Sequence, residues 1–221
     1  MAADPQVEQL GGIAGYKMGG LGQIPGVAAA YGPLFGLGIV DAPQGLSSAK
    51  FNLFNLEVEI GFVMGKTLEP QDLPFSEAEV WGAVKEVVLS LEICGRRHAL
   101  ADHPEYTNLI GLADCSSAGG VVCGKRFSTS EVTPEQLRDV STSCVVNGEE
   151  RVTGHGSNSP FGSPLASLAW CANHLNARGM ALRSGELVIG GATCKCPDFK
   201  VGDTVAALYG ELGSIETTIL P

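Results

Sequence analysis

Glu57 and Glu59 sit inside NLFNLEVEIGFVMG, a stretch otherwise apolar enough to be a buried strand, and Glu92 sits in a second such run, VVLSLEIC. Side chains of a strand alternate between its faces. Glu57 and Glu59 therefore share one face about 7 Å apart, while Leu56, Val58, Ile60 and Phe62 take the other. An ionised carboxylate buried without a partner is very costly, so two or three together call for a cation or several strong donors. Oxygen ligands suit a hard divalent ion such as Mg²⁺ or Mn²⁺. The competing reading places these glutamates on the wet face of an antiparallel sheet. Lys17, in GIAGYKMGG, adds a cation near the end of a short strand. A metal and a lysine together would create a local positive site for a small anion in an otherwise acidic chain.

The elements that must position these residues read as short strands and a few helices. Ser76 and Glu79 form a capping box that opens a helix over 76–88, with Val80, Val84, Val87 and Val88 at helical spacing before the chain passes into the Glu92 strand. Thr133-Pro134-Glu135-Gln136 starts a second, short helix. A third begins at Ser163-Pro164, carries Leu165, Leu168, Ala172 and Leu175 on one face, packs Trp170 and ends near Gly179. Between Lys17 and the Glu57 strand, LGQIPGVAAAYGPLFGLGIVDAP reads as a flexible apolar loop of the kind that closes over a small ligand. After Gly179 the chain alternates strands and turns through ELVIGG, TCKCPDFKVGD and TVAALYGELGSIETTIL. Strands predominate and helices do not alternate regularly with them, which predicts an α+β, β-rich single domain over 1–221, with residues 1–11 an extended or poorly ordered N-terminal segment.

Composition narrows the function classes. The chain has 221 residues, 30 Gly and 12 Pro, and a net charge of −10 that argues against nucleic acid or an anionic membrane as partner. No apolar run approaches a membrane span, and MAADPQVEQL shows no secretory pattern, so a cytoplasmic or organelle-matrix location is expected. The seven cysteines include no C-x-x-C and read as reduced, mostly buried small hydrophobes, with Cys194 and Cys196 leaving a disulfide or metal alternative. His98 and His103 share no helical face and read as loop or surface residues. The glycines at 19, 20, 22 and 26 do not fit a dinucleotide fingerprint, and GHGSNS at 154–159 does not frame a serine as a nucleophile elbow.

The order GYKMG, LEVEIGFVMG, SLEICGRR, LADCSSAGGVVCG resembles the 2-keto-4-pentenoate hydratase group of the fumarylacetoacetate hydrolase superfamily. The later stretches NGEERVTGHGSNSPFGSPLASLAWCANHLNARGMALRSGELVIGGA and VGDTVAALYGELGSIET continue the match. The resemblance runs from about residue 12 to the C-terminus and is strongest over 55–65 and 147–218. It implies a mixed, rolled β-sandwich around a metal site, with Glu57, Glu59 and Glu92 as the ligands of Mg²⁺ or Mn²⁺. It implies that Lys17 approaches the substrate's oxygens as a binding and catalytic residue. Asp114 and Ser117 fall in the group's Asp-x-x-Ser segment, Asp114 as a catalytic and Ser117 as a substrate-binding residue; an Asx or Ser turn is the alternative for both. Gly95-Arg96-Arg97 stands where Asp-Ser-Arg is usual, which makes Arg96 a candidate substrate contact. Cys115 replaces the usual Asn, the loop after Lys17 lacks the usual Leu-Thr-Ser pattern, and the helical segment that relatives carry ahead of the lysine strand is not found.

By that resemblance the activity is a metal-dependent hydro-lyase reaction of aromatic-compound degradation. Water is added to a 2-hydroxy-2,4-dienoate (a 2-oxo-4-enoate) to give a 4-hydroxy-2-oxo acid, and the protein works as a homo-oligomer. A lysine with a depressed pKa would suit a proton relay at Lys17. The alternatives are a 4-oxalocrotonate-type decarboxylase and a non-catalytic structural or assembly subunit that keeps the fold. Acylpyruvate hydrolysis ranks lower, because no histidine precedes His98.

Overall fold

The two apolar runs that carry the glutamates become the longest strands, β5 (Leu53–Met64) and β6 (Val84–Gly95), paired antiparallel along their whole length. The computed structural model describes residues 4–19, 29–42, 45–98 and 107–221. Before β5 come β1 (Ile13–Gly19), β2 (Ala30–Phe35), β3 (Ile39–Asp41) and β4 (Leu46–Ser47). After β6 follow β7 (Ala118–Ser128), β8 (Ser141–Val146), β9 (Glu149–His155), β10 (Leu187–Ile189), β11 (Cys194–Cys196), β12 (Thr204–Leu208) and β13 (Ser214–Leu220). The helices are short: α1 (Pro5–Gln9), α2 (Ser48–Phe51), α3 (Glu77–Trp81), α4 (Thr107–Ala113), α5 (Pro134–Asp139) and α6 (Pro164–Asn176).

One sheet runs β2-β1-β10-β5-β6-β7-β3, with β11 continuing beside β5 where β10 stops; the other runs β4-β13-β12-β8-β9. The alternation of β5 and β6 sorts their residues cleanly. Leu56, Val58, Ile60 and Phe62, with Leu89, Leu91 and Ile93, enter the main core shared with the second sheet and the buried face of α6. Val88, Val121, Cys123, Leu187 and Ile189 form a smaller apolar cluster, and their register places them on the glutamates' side of the sheet. Tyr209, fully buried at the end of β12, donates its hydroxyl to the carbonyl of Ser90 and ties the sheets together beneath the site.

Several expectations hold and others need correction. The capping boxes at Ser76/Glu79 and Thr133/Gln136 are both formed, and Ser163 caps α6. The helix expected over 76–88 ends at Trp81, and Val84, Val87 and Val88 belong to β6. β-branched side chains lose rotamer freedom in a helix and pack well on a pleated surface, so the valines extend the strand. The expected loop before β5 contains β2 and β3; residues 20–28 and 43–44 lie outside the described set. Pro33 is tolerated because β2 is an edge strand. Residues 5–9, within the segment expected to be extended or poorly ordered, form α1 with Pro5 in its first turn and an Asp4 cap. Cys144 and Cys196 are disulfide-bonded across β8 and β11, with Cα atoms 5.5 Å apart, which corrects the all-reduced reading. Cys94, Cys115, Cys123, Cys171 and Cys194 are free. His98 is half-buried just after β6, and His103 lies outside the described residues. No described helix is long and apolar enough to cross a membrane.

Candidate active site

Strand register brings the site together. On β5 and β6, Glu57 stands opposite Glu92 and Glu59 opposite Ser90. Lys17 of β1 pairs with Ile189 of β10, which in turn pairs with Gly61 of β5, so the lysine projects from the same face as the glutamates. On the other part of the β5 edge, β11 sets Lys195 opposite Glu57. Lys17 Nζ lies 3.1 Å from Glu92 Oε1, and Lys195 Nζ lies 3.0 Å from Glu57 Oε1, which Asn55 Nδ2 also approaches at 3.3 Å. Like charges directly opposed on neighbouring strands are destabilising, so the Glu57–Glu92 pair is an energetic liability that the fold maintains.

Burial sharpens that liability. Glu59 and Glu92 are both 0% exposed. Glu59 Oε2 accepts the Gly191 backbone N–H at 2.8 Å, but Glu59 Oε1 and both oxygens of Glu92 have no hydrogen-bond partner. Among the described residues, Lys17 is the one cation set against Glu92, through Oε1. The adjacent Glu59 and Glu92 carboxyls can bond to each other only while one holds a proton. Burial, then Glu92 and Glu57, push the Glu59 carboxyl well above its usual range. Burial and Glu57 push Glu92 up to about 7 although Lys17 works against them. Burial alone would lower the Lys17 pKa, yet Glu92, Cys94, Glu57 and Glu59 together raise it. The glutamates around it thus favour the ammonium form of Lys17. Three carboxylates face two lysines. The orphaned oxygens and the excess negative charge fit a divalent cation.

Among the described residues, the tightest set of candidate donor atoms is Glu57, Glu92 and Cys94, all within 4.8 Å of one another. Glu59 stands outside that set, against Glu92. It is aimed by the turn between β10 and β11, where Gly190, Gly191 and Thr193 bond back to β5. Gly191 has φ +93°, and a Cβ there would meet Pro160 Cδ at 2.4 Å, so both conformation and space require glycine. The GHGSNS segment supports that turn: Asn158 Nδ2 donates to the Thr193 carbonyl at 3.1 Å, and Ser159 Oγ to that of Gly191 at 3.4 Å.

Asp114 of the Asp-x-x-Ser segment is clamped by Arg97. The Arg97 backbone N–H reaches Asp114 Oδ2 at 2.8 Å and its Nε reaches Oδ1 at 2.7 Å, so both carboxylate oxygens are committed. Arg97 Nη1 and Nη2 also donate to the carbonyls of Ala118 and Asp114. Asp114 thereby anchors a turn. Within the turn Cys115, Ser116 and Ser117 all have positive φ, and the Ser117 N–H donates to the Asp114 carbonyl at 2.8 Å. The turn rests on Gly32, whose added Cβ would meet the Cys115 carbonyl at 1.9 Å, and Gly32 is the β2 partner of Lys17. The Cys115–Ser116 part of the turn thus packs on β2, next to the lysine's strand, and the Ser117 hydroxyl faces Gly111 of α4. Arg96 is not brought to the carboxylates; its guanidinium lies over the Phe54 ring at 4.1 Å, because the strand has ended and the next side chain turns outward. Arg97, Lys195 and Cys94 escaped the sequence reading. Only strand alternation from Glu92 to Cys94 was available as a signal.

Residues 36–220 match the fumarylacetoacetate (FAA) hydrolase C-terminal family. The chain belongs to this family. A 2-keto-4-pentenoate hydratase of Paraburkholderia xenovorans (strain LB400) is 33% identical over 168 residues, covering 73% of this chain and 57% of the relative. A 2-oxo-hept-4-ene-1,7-dioate hydratase of Escherichia coli is 27% identical over 171 residues, covering 75% of this chain and 61% of the relative. The chain thus spans less than two thirds of the length of these curated relatives. Among solved structures, 4-oxalocrotonate decarboxylase from Pseudomonas putida G7, complexed with magnesium and adipate, superposes with a TM-score of 0.83 at 25% identity over 97% of this chain and 81% of that one. The family's rolled, β-rich fold is what the two sheets show.

Proposed function

We propose that the protein is a divalent-metal-dependent hydratase that adds water to a 2-hydroxy-2,4-dienoate. The observation that carries the reading is the set of buried carboxylate oxygens without partners at Glu59 and Glu92, beside Glu57 and Lys17, in a chain similar to named hydratases. Glu57, Glu59 and Glu92 would hold Mg²⁺ or Mn²⁺. The cation supplies a chelation point for a 2-oxo acid and stabilises enolate charge. Three carboxylates and two lysines leave one net negative charge, which a divalent ion turns into one net positive charge suited to an anionic substrate. Lys17, paired with Glu92, stabilises negative charge on the substrate's oxygen. Lys195, half-exposed at the rim, adds a second cation that holds Glu57 in place.

The overall change moves the enol proton to carbon, giving a conjugated ketone. Water then adds its oxygen to the far alkene carbon and a proton to the near one. The Asp114–Arg97 clamp keeps the Cys115–Ser117 turn against β2, so Ser117 and the turn backbone orient the substrate. A second reading has a specific basis: the structural similarity to 4-oxalocrotonate decarboxylase fits a decarboxylase that uses the same electron sink. Incubation with 2-hydroxypenta-2,4-dienoate and with a 2-oxo-4-enedioate, followed by product analysis, decides between them. Hydration with every carbon retained is expected. Release of CO₂ from the enedioate without hydration of the dienoate would overturn the hydratase reading, and no turnover of either would favour a non-catalytic role.

A further inference from the structure

Cys94 is the feature of this site that oxygen-only chemistry leaves unexplained. It lies two residues beyond Glu92 on β6, hence on the same face, opposite Asn55 of β5 and the small Ala118 of β7. Its sulfur and the carboxylate oxygens of Glu57 and Glu92 all lie within 4.8 Å of one another, and the residue is buried. Lys195 and Asn55 both approach Glu57 through Oε1. Glu92 Oε1 meets the Lys17 ammonium at 3.1 Å, while Oε2 is buried without a hydrogen-bond partner, which is the mark of a site built to take a ligand. A tetrahedral or octahedral cation with bonds of about 2.0 Å to oxygen and about 2.3 Å to sulfur joins donors no more than about 4.3 Å apart, so small side-chain rotations suffice.

We propose that Cys94 is a direct sulfur donor to the cation held by the glutamates, making the centre a mixed oxygen–sulfur site that takes borderline ions such as Zn²⁺ or Co²⁺ more tightly than carboxylates alone would. This rests on the metal reading given above and deepens it. Coordination breaks the S–H bond and forms a metal–sulfur bond; the proton leaves to solvent. Zn²⁺ binds carboxylate sites more tightly than Mn²⁺ in any case, so a bare preference proves nothing. What distinguishes the sulfur is a spectroscopic signature and its loss on substitution.

The test is titration of metal-free protein with Co²⁺, reading visible d–d absorption for cobalt binding and near-ultraviolet sulfur-to-cobalt charge transfer for thiolate ligation. Wild type is expected to show both. Cys94→Ser is expected to keep the d–d bands, lose the charge-transfer band, and lose Zn²⁺ affinity by more than the roughly 10–100-fold typical of an outer-shell loss, with Mn²⁺ affinity changed far less. Wild-type d–d bands without charge transfer, or charge transfer that survives in Cys94→Ser, would overturn the assignment while leaving the carboxylate centre intact. Absence of any cobalt bands would overturn both. Because wild type alone can deliver the decisive negative, the test does not depend on the variant folding.

Discussion

Replacing Glu59 by glutamine removes a buried charge without removing its hydrogen bond. Glutamine keeps an oxygen to accept the Gly191 N–H now found at 2.8 Å, and its amide can donate to a Glu92 oxygen that otherwise has no partner. Without metal, the raised Glu59 pKa means the folded state binds a proton more readily than the unfolded state. Stability is therefore fully present below the ordinary carboxylate pKa of 4.5 and is lost as pH rises through the folded-state value. Glu59→Gln escapes that loss. An uncompensated buried charge costs on the order of 3 kcal/mol. At about 2–4 °C per kcal/mol for a chain of this size, the variant should melt roughly 6–12 °C above wild type at pH 8 in a chelator. At pH 4 the two should coincide. Titrating groups remote from the site, Glu186 and His174 among them, are common to both proteins and cancel in the difference, while the neighbouring Glu92, relieved of the Glu59 charge, shifts in the same stabilising direction. Adding Mn²⁺ should reverse the order, since wild type gains a ligand-bound state that the variant cannot form fully. The assay is calorimetric or fluorescence melting across pH with and without metal. If Glu59→Gln is less stable than wild type at pH 8 in chelator, Glu59 is not an uncompensated charge and the argument for a cation at this site fails.

Gly191→Ala should destabilise the protein by about 1–3 kcal/mol, because the new Cβ meets Pro160 and the backbone has positive φ. By releasing Glu59 it should also abolish metal-induced stabilisation, which melting with and without Mn²⁺ reads directly. Arg97→Ala and Asp114→Ala should be strongly non-additive, with a coupling of about 1 kcal/mol or more in a denaturation cycle, since each removes the other's partner. Additive effects would mean the clamp does not operate. Reduction, or Cys196→Ser, should lower the melting temperature by the equivalent of about 2–4 kcal/mol, and a melt insensitive to reductant would argue that β8 and β11 are not cross-linked.

Much of the site was legible because it follows from period-two alternation alone. Glu57 and Glu59 had to share a face, and a third carboxylate in an equally apolar run had to be accommodated nearby. The capping boxes were legible for the same local reason: a side chain reaching its own helix start needs no tertiary information. Lys195 was not, because its meeting with Glu57 depends on the register of β11 against β5, set by the Gly190–Thr193 turn. Arg97 and Asp114 are 17 residues apart and meet only after β6 ends and α4 returns, so their clamp was not legible in the Asp-x-x-Ser segment alone. The strands at 30–41 were hidden by glycine and proline, whose usual meaning as breakers is overruled at an edge strand where the missing N–H harms no ladder. The valine run after Ser76 satisfied a helical period by coincidence; β-branching favoured the strand.

The central claim is that Glu57, Glu59 and Glu92 form a cation centre. It is met most directly by crystals grown with Mn²⁺ and data collected at the manganese edge. One strong anomalous peak is expected, bonded to oxygens of all three glutamates, on the face of β5 and β6 that Lys17 shares. A peak held by other residues, or no peak at saturating Mn²⁺, would contradict it.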